Sequence, residues 1–314
     1  MANLFTDSAG ALGTNVVKGQ YDRFLRMALR TQPVLAQFID VHPVQPTAPG
    51  SSIQLQKYAD LASATTPLSE STDADSVVIP ATTTVTLTLA AYGNVVTTTE
   101  YLDLVALSDV EPAKADLIAR NVIDTREDLI MAVARAGTNV IYAGASGAID
   151  TTGPTNVVTQ AKSISSKQVS RAITELRSRN APDIRDGYFG ALIHPRVAVD
   201  LREDATAPAW VTPHQYNSNS NIWRGEVGSY LGAFFIETNR CYSALDGAAA
   251  AKVYRTLFLG KEALAEAVAQ PYQTVVSPVV DRLMRFRPLG WKSVVAYGRF
   301  REECIERLET GATS

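Results

Sequence analysis

The chain has 314 residues, of which 46% are hydrophobic and 19% are charged. This composition supplies a sizeable core and excludes a chain that is disordered throughout. The formal net charge is −3, whereas a dedicated nucleic-acid-binding protein carries a basic surplus that neutralises phosphates. A wall that only encloses nucleic acid needs no such surplus. No run of 18 apolar residues predicts a membrane span, and the first residues lack the basic and apolar regions of a secretory signal.

The N-terminal region is predicted to form a loose arm followed by a helix. Apolar residues recur at spacings of three and four from about Asn15 to Asp40, and Pro33 interrupts the pattern. Prolines and a glycine between 42 and 51 then end the helix and extend the chain.

Residues 51–100 predict a long two-stranded excursion with a polar tip. Apolar residues alternate with polar ones near both ends of residues 53–89, as in half-exposed strands. Residues 59–76 are rich in Ser, Thr and Asp, and a further β-rich run covers 95–99. Because a two-stranded ribbon is marginal alone in water, we expect it to lie on a neighbouring copy of the chain. The alternating apolar positions are Ile53, Leu55, Val85, Leu87 and Leu89.

A helix of roughly 30 residues, about 45 Å long, is predicted next. Ser108 and Asp109 are the candidate N-caps, and Gly144 ends the pattern. A helix of this length is uncommon in a compact single domain. Its apolar stripe comprises Ile118, Val122, Leu129, Val133 and Val140.

The rest of the chain predicts alternating helices and strands and then a return to β structure. After a Gly/Ser/Thr linker over 144–165, we expect a helix starting near Ser166, a strand over 188–193, a helix from Pro195, and strands over 233–237 and 254–259. Strands are then predicted over 272–280, 283–286 and 291–297, with a turn at Leu289-Gly290 and a charged tail after Phe300.

No catalytic, cofactor-binding or metal site is predicted. The three histidines are scattered, and His194 before Pro195 is interpreted as a strand-end residue that bonds the backbone. Asp200, Glu203 and Asp204 favour a solvated helix end over a metal site. Two cysteines, Cys241 and Cys304, match no zinc spacing and are interpreted as reduced, partly buried thiols, with a single disulfide left open.

The most basic stretch lies near the C-terminus and supplies further candidates for intersubunit contact. These arginines could pair with acidic residues of a neighbour, or they could blunt exposed strand edges with charge. Phosphate contact is less favoured because the chain as a whole is acidic. The arginines are Arg282, Arg285, Arg287, Arg299 and Arg301, and Lys57 joins them and the five apolar positions above as a contact candidate.

The order of these parts resembles the Hong Kong 97-type capsid fold, an α+β fold of tailed-bacteriophage major capsid proteins. The resemblance covers essentially the whole chain. In its terms the chain divides into an N-terminal arm and helix (1–50), an extended two-stranded E-loop (51–104), a peripheral domain with a long spine helix (105–165 and 266–314), and an α/β axial domain (166–265).

Three local segments indicate one particular family within this fold. Residues 192–202, with His194-Pro195 between a strand and a helix, are similar to a segment of the capsid family typified by coliphage N-four. Residues 225–238 and the triplet Gly290-Trp291-Lys292 are also similar to segments of that family. The order and spacing of the three segments carry the likeness, since none is specific alone.

The resemblance implies a structural protein that self-assembles into hexamers and pentamers of an icosahedral shell. The shell would enclose double-stranded DNA without sequence-specific binding, and it would be made and assembled in the host bacterial cytoplasm and found in the virion. Implied partners are a portal and a separate scaffolding protein, because residues 1–50 are too few for a fused scaffold; a decoration protein stays open. The resemblance implies no cofactor and no membrane. Some members link a lysine of the E-loop to an asparagine, but no Asn follows Asn239, which disfavours such a crosslink here.

Three other functions remain open. An encapsulin-type compartment has the same fold and differs in its cargo, which is an enzyme rather than DNA. A soluble α/β enzyme would be a compact monomer or small oligomer. A phage tail or adhesin protein would more often show repeats or a heavier β content.

Overall fold

The computed structural model describes residues 33–44, 51–68, 70–71, 73, 76–106, 110–145, 148–150, 153, 155, 158–204, 226–276, 283 and 285–313. The helix predicted to begin near Asn15, the capping residues Ser108 and Asp109, and Arg282 lie outside these ranges.

The described residues form four α-helices and fourteen strands. The helices are α1 (Glu100–Val105), α2 (Val110–Ala134), α3 (Ser166–Ser178) and α4 (Pro195–Glu203). The first strands are β1 (Ile39–Pro43), β2 (Ser52–Lys57), β3 (Thr83–Thr88), β4 (Ala90–Thr99), β5 (Val140–Ala143), β6 (Ile149–Asp150) and β7 (Phe189–Ile193). The later strands are β8 (Glu226–Tyr230), β9 (Ala233–Glu237), β10 (Ser243–Ala244), β11 (Val253–Leu259), β12 (Leu264–Val276), β13 (Phe286–Arg299) and β14 (Ile305–Thr310). Short 3-10 helices cover Leu35–Phe38, Ala248–Ala250 and Glu302–Cys304.

The chain divides into two compact units. Within the described ranges, the smaller unit comprises residues of 94–120 and 274–291. The larger unit comprises residues of 31–93, 121–273 and 292–314.

An eight-stranded sheet forms the centre of the larger unit, in the order β6-β5-β14-β11-β7-β9-β8, with β10 paired to β11. Successive side chains of a strand point to opposite faces, and both faces are covered. Ala191 and Ile193 pack in one apolar cluster with residues of α3 and α4. Leu192 packs in a second cluster with Leu35 and with Ile130 of α2. Strands β7 and β9 are therefore almost continuously apolar in sequence, as expected for strands buried on both faces.

The predicted helix at Ser166 is confirmed as α3. Ser165 is its N-cap, and Ser165 and Gln168 form a capping box in which each side chain accepts a hydrogen bond from the other residue's backbone N–H. The helix ends before Asn180, which has a left-handed φ of 54°, a conformation that asparagine tolerates. The predicted strands β7, β9 and β11 are also confirmed, within a residue at each end, and the helix predicted from Pro195 is confirmed as α4.

The charged tail predicted after Phe300 is wrong, because residues 305–310 form β14 between β5 and β11 in the middle of the sheet. Its charged side chains are buried in ion pairs. Charged residues are seldom buried unless they are paired, and the sequence alone does not show their partners. Glu306 binds Arg179 at 2.7 Å, and Glu309 binds Arg255 at 3.0 Å. Pairing of this kind offsets the cost of removing a carboxylate from water.

The long helix is shorter than predicted and ends at Ala134. Val140, assigned to its stripe, begins β5, which pairs in parallel with β14. Arg307 closes the helix end, because its guanidinium donates to the backbone carbonyls of Arg135 and, at 3.3 Å, Gly137. These carbonyls follow the last helical residue, where helix geometry offers no partner.

The helix predicted through Asp40 is also wrong at its end. Residues 35–38 form a 3-10 helix, and residues 39–43 form β1, which pairs in parallel with β12. The carboxylate of Glu127 in α2 accepts hydrogen bonds from the backbone N–H groups of Leu35 and Ala36, each at 3.2 Å. This carboxylate satisfies amides that a short helix leaves unpaired at its start.

The turn predicted at Leu289-Gly290 is absent, since β13 runs unbroken through both residues. β13 lies in a second, four-stranded sheet with the order β1-β12-β13-β4. A Cβ on Gly290 would lie 2.7 Å from the carbonyl oxygen of Asn94. Glycine therefore serves the close approach of two strands here rather than a turn.

Both cysteines are free and buried, as the sequence predicted. They belong to the same apolar cluster. Desolvation raises the pKa of Cys241 to about 12 and that of Cys304 to about 11, so both stay protonated thiols at neutral pH.

We expect the folded protein to resist modification by a thiol reagent such as DTNB near pH 8, because the reagent needs an accessible thiolate. In guanidinium chloride both thiols should react within minutes. Because folding raises the pKa of both thiols, the protonated thiols favour the folded state. Their contribution to the free energy of unfolding is complete below the ordinary thiol pKa of 9.0 and is lost as the pH rises above it. Rapid reaction of a thiol in the folded protein would contradict their burial.

Candidate assembly surface

The candidate surface begins with a two-stranded ribbon in the larger unit. Strands β2 and β3 are antiparallel, with Ile53 opposite Leu87 and Leu55 opposite Val85. This confirms the two alternating strands predicted here. The run over 95–99 is not part of the ribbon, because it lies in β4 of the four-stranded sheet.

The root of the ribbon, residues 52–57 and 83–88, packs on other parts of the same chain. Leu87 is 2% exposed and forms a cluster with Ala265, Ala267 and Ala296. Its side chain occupies the space that Gly298 leaves open by having no Cβ. The other apolar residues predicted as contacts pack against this cluster and are partly buried: Ile53, Leu55, Val85 and Leu89. The inner face of the ribbon is thus covered within the chain, and only its outer face and tip are available to a neighbour.

Lys57 also bonds within the chain. Its ammonium donates to Glu303 at 2.9 Å, and this hydrogen bond is the main cause that lowers the pKa of Glu303. Both side chains are partly exposed, so the pair adds little stability and acts mainly in orienting the end of β2.

The ribbon tip, residues 58–82 in so far as they are described, presents apolar side chains to solvent. Six of them are 59 to 86% exposed, and three of the six are consecutive. A soluble protein that acts alone rarely exposes such a group. The residues are Tyr58, Leu61, Leu68, Val77, Val78 and Ile79.

Helix α1 in the smaller unit is a second exposed apolar feature. None of its residues is buried, and its four apolar side chains are 46 to 79% exposed. Thr99 caps it by accepting a hydrogen bond from the backbone N–H of Leu102 at 3.2 Å. Sequence reasoning missed this helix, although Thr99 followed by Glu100 is a usable start signal. The four side chains are Tyr101, Leu102, Leu104 and Val105.

The smaller unit is held together by polar contacts of its own. Lys114 of α2 is 4% exposed, and its ammonium donates to Thr98 at 2.9 Å and to the carbonyl oxygen of Arg287 at 3.1 Å. The backbone N–H of Glu100 donates to the carbonyl oxygen of Arg285 at 2.9 Å. These bonds tie α1, β4 and β13, so the exposed face of α1 belongs to an ordered element.

Three of the basic-stretch arginines are neutralised within the chain. Arg287 pairs with Asp103 at 3.2 Å, Arg299 with Glu302 at 2.5 Å, and Arg301 with Glu262 at 2.8 Å. The guanidinium of Arg285 lies 5.6 Å from the ring centroid of Phe286. The sequence showed the arginines as a run but did not show these carboxylates, most of which are distant along the chain.

A buried polar network joins α2 to the strands beneath the ribbon root, and it was not predicted. Glu266 of β12 is 1% exposed, binds the guanidinium of Arg126, and accepts a hydrogen bond from the hydroxyl of Tyr297 at 3.0 Å. Tyr297 also bonds the hydroxyl of Tyr272. Desolvation, followed by these hydrogen bonds and the nearby carboxylate, raises the pKa of Tyr297 far above its ordinary value. A charged residue inside the apolar run Leu264-Ala265-Glu266-Ala267 was the available signal.

The residues weighed as catalytic or metal-binding have structural contacts. His194 is the N-cap of α4 and accepts a hydrogen bond from the backbone N–H of Arg196 at 3.2 Å, as predicted. Asp200 binds the backbone N–H of Thr313 at 3.0 Å, and Asp204 binds that of Ser166 at 2.8 Å. The described residues contain no group of three or more side chains placed to hold a metal. Among the described helices, none is both long enough and apolar enough to span a membrane.

Replacing Leu87 with Ala should loosen the ribbon root, because deleting a buried leucine side chain costs about 2 kcal/mol or more. Tryptic cleavage after Lys57 should then accelerate by about thirtyfold or more, since cleavage tracks the population of the open form. Val78→Ala, at an exposed position of the same ribbon, is the matched control and should cleave at the wild-type rate. Equal rates for all three proteins would mean that the packing of Leu87 does not hold the root.

Comparison by sequence with protein-family models and with curated proteins gives no match. Comparison by structure gives matches over nearly the full length. A chain of the capsid of Ralstonia phage GP4 matches with a TM-score of 0.72 and 12% identity, over 97% of this chain and 98% of that one.

Two cyanophage structures match almost as well. The capsid asymmetric unit of cyanophage Pam1 gives a TM-score of 0.69 at 14% identity, over 97% of this chain and 99% of that one. The capsid of cyanophage P-SCSP1u gives 0.69 at 15% identity, over 96% and 94%. At these identities the likeness establishes a shared fold: the chain has the mixed α and β fold of phage capsid proteins.

Proposed function

We propose that this chain is the major capsid protein of a tailed bacteriophage, a structural protein and not an enzyme. Copies of it assemble into hexamers and pentamers of an icosahedral shell that encloses double-stranded DNA. The structural match to phage capsid chains carries the proposal, because it covers 97% of this chain and nearly all of theirs.

The exposed apolar residues support assembly with other copies. The larger unit covers both faces of its central sheet, so its core needs no partner. The ribbon tip and α1 nevertheless leave large apolar side chains in solvent. Covering them between copies would contribute roughly 25 cal/mol per Å² of apolar surface, and the symmetry of a closed shell repeats each contact many times.

The division of labour follows the Hong Kong 97-type scheme. Residues 1–50 act as the arm, 51–104 as the E-loop, 105–165 and 266–314 as the peripheral domain, and 166–265 as the axial domain. Contact with neighbours uses the outer face and tip of the E-loop and the exposed face of α1, whereas the paired arginines stabilise the subunit itself. A portal and a separate scaffolding protein complete the particle, which forms in the host cytoplasm.

Electron microscopy of the purified protein, with and without a co-expressed scaffolding protein, tests the proposal. We expect rings of five or six subunits or closed polyhedral shells. A monodisperse monomer or dimer under both conditions would contradict it. Shells that carry an enzyme in place of DNA in the native host would indicate an encapsulin-type compartment.

The double variant Val78→Ser, Ile79→Ser should fold normally and assemble poorly, because both side chains are exposed in the single chain and would be buried between copies. Circular dichroism reports the fold, and analytical sedimentation reports the fraction assembled. Thr65→Ser, a conservative change in the same exposed segment, is the control. Normal assembly of the double variant would show that the tip is not a contact surface.

A further inference from the structure

A cavity of about 500 Å³ lies beside the start of α4 in the larger unit. The 3-10 helix Ala248–Ala250 forms one wall, and Thr159 and Gln160 form another. Arg196, Lys252 and the ring of Tyr254 complete the lining. The ribbon, α1 and the capsid-like topology assign no role to this cavity.

The charged side chains that line the cavity are both positive. No carboxylate is among its lining residues in the described part of the chain. Most described arginines pair with a carboxylate, as Arg179 does with Glu306 and Arg255 with Glu309. Within the described ranges, neither Arg196 nor Lys252 forms an ion pair.

Nearby acidic groups are engaged elsewhere. Asp200, one helical turn beyond Arg196, accepts hydrogen bonds from the backbone and the hydroxyl of Thr313. Asp246 binds Arg255 at 2.6 Å. These two carboxylates therefore do not neutralise the cations of the cavity.

The start of α4 adds to the positive potential. The helix dipole places a partial positive charge at this end, which favours anions, while the first backbone N–H groups of α4 donate to His194. The ammonium of Lys252 lies 5.4 Å from the ring centroid of Tyr254. The ring centroid of His194, the residue before α4, lies 4.7 Å from that of Tyr254. Burial first, and then the charges of Lys252 and Arg196, lower the pKa of His194, so the imidazole there is neutral at pH 7.

We propose that this cavity binds a small phosphate-type oxyanion, such as inorganic phosphate or pyrophosphate, held between Arg196 and Lys252. Arginine supplies a planar pair of donors that matches phosphate oxygens, and lysine supplies a compact charge. The polar walls at Thr159 and Gln160 offer further hydrogen-bonding groups. A cavity of this volume admits pyrophosphate whole.

Isothermal titration calorimetry of the full chain with pyrophosphate tests the site. Wild type should bind one anion per chain. Arg196→Gln, Lys252→Gln should bind at least about a hundredfold more weakly, since two charge-assisted hydrogen bonds are lost at about tenfold each. Lys292→Gln changes an exposed lysine outside the cavity and should bind like wild type. Sedimentation and circular dichroism verify that all three proteins share one fold and assembly state.

A second readout separates the site from general charge attraction. NMR titration should show that pyrophosphate raises the pKa of His194 in wild type, because a bound anion offsets the two cations. Equal affinity in wild type and the double variant, or an unchanged His194 titration under saturating anion, would overturn the proposal. Binding of a thymidine oligonucleotide without binding of pyrophosphate would overturn the assignment to a small anion.

Discussion

A carboxylate removed from water costs several kcal/mol unless a partner meets it, and four glutamates impose this constraint on the larger unit. They are at most 2% exposed, and each joins elements that are distant along the chain. Glu127 fixes the 3-10 segment at Leu35 to α2. Glu266 receives Arg126, so α2 has one position on β12. Glu306 and Glu309 tie β14 to α3 and β11. Apolar packing alone would allow these elements to slide, whereas a buried ion pair is satisfied in one register only.

The closure of this core explains where the surface of the protein remains apolar. Both faces of the central sheet are covered, and the ribbon root is sealed by Leu87 on small residues. The ribbon tip and α1 nevertheless expose ten large apolar side chains between them, and these are the surfaces that we propose for contact between copies. An assembling subunit needs this combination, because it must fold before it meets its neighbours and yet keep surface for them. The fold shared with phage capsid chains is consistent with that division.

Local signals in the sequence predicted much of the fold. The helix start near Ser166, Pro195 at the start of the next helix, and the alternation around Ile53 and Leu87 each identified the right element. Predictions failed where distant partners decide. Residues 305–310 looked like a charged tail because Arg179 and Arg255, which pair with Glu306 and Glu309, are distant along the chain. Gly290 looked like a turn because Asn94, which lies against it in the sheet, is also distant along the chain. Of the candidate surface, the ribbon was predictable, but neither the sealing of its root nor the intrachain partners of the arginines could be read without the fold.

We propose that the ribbon root stabilises the subunit and that the ribbon tip and α1 contact neighbouring copies. Amide hydrogen exchange, measured on the unassembled protein and again on assembled particles, distinguishes these two roles. We expect residues 52–57 and 83–88 to be protected in both states, and residues 76–82 and 100–105 to gain protection on assembly. Unprotected root strands in the free subunit, or a tip and α1 that exchange equally fast in both states, would contradict it.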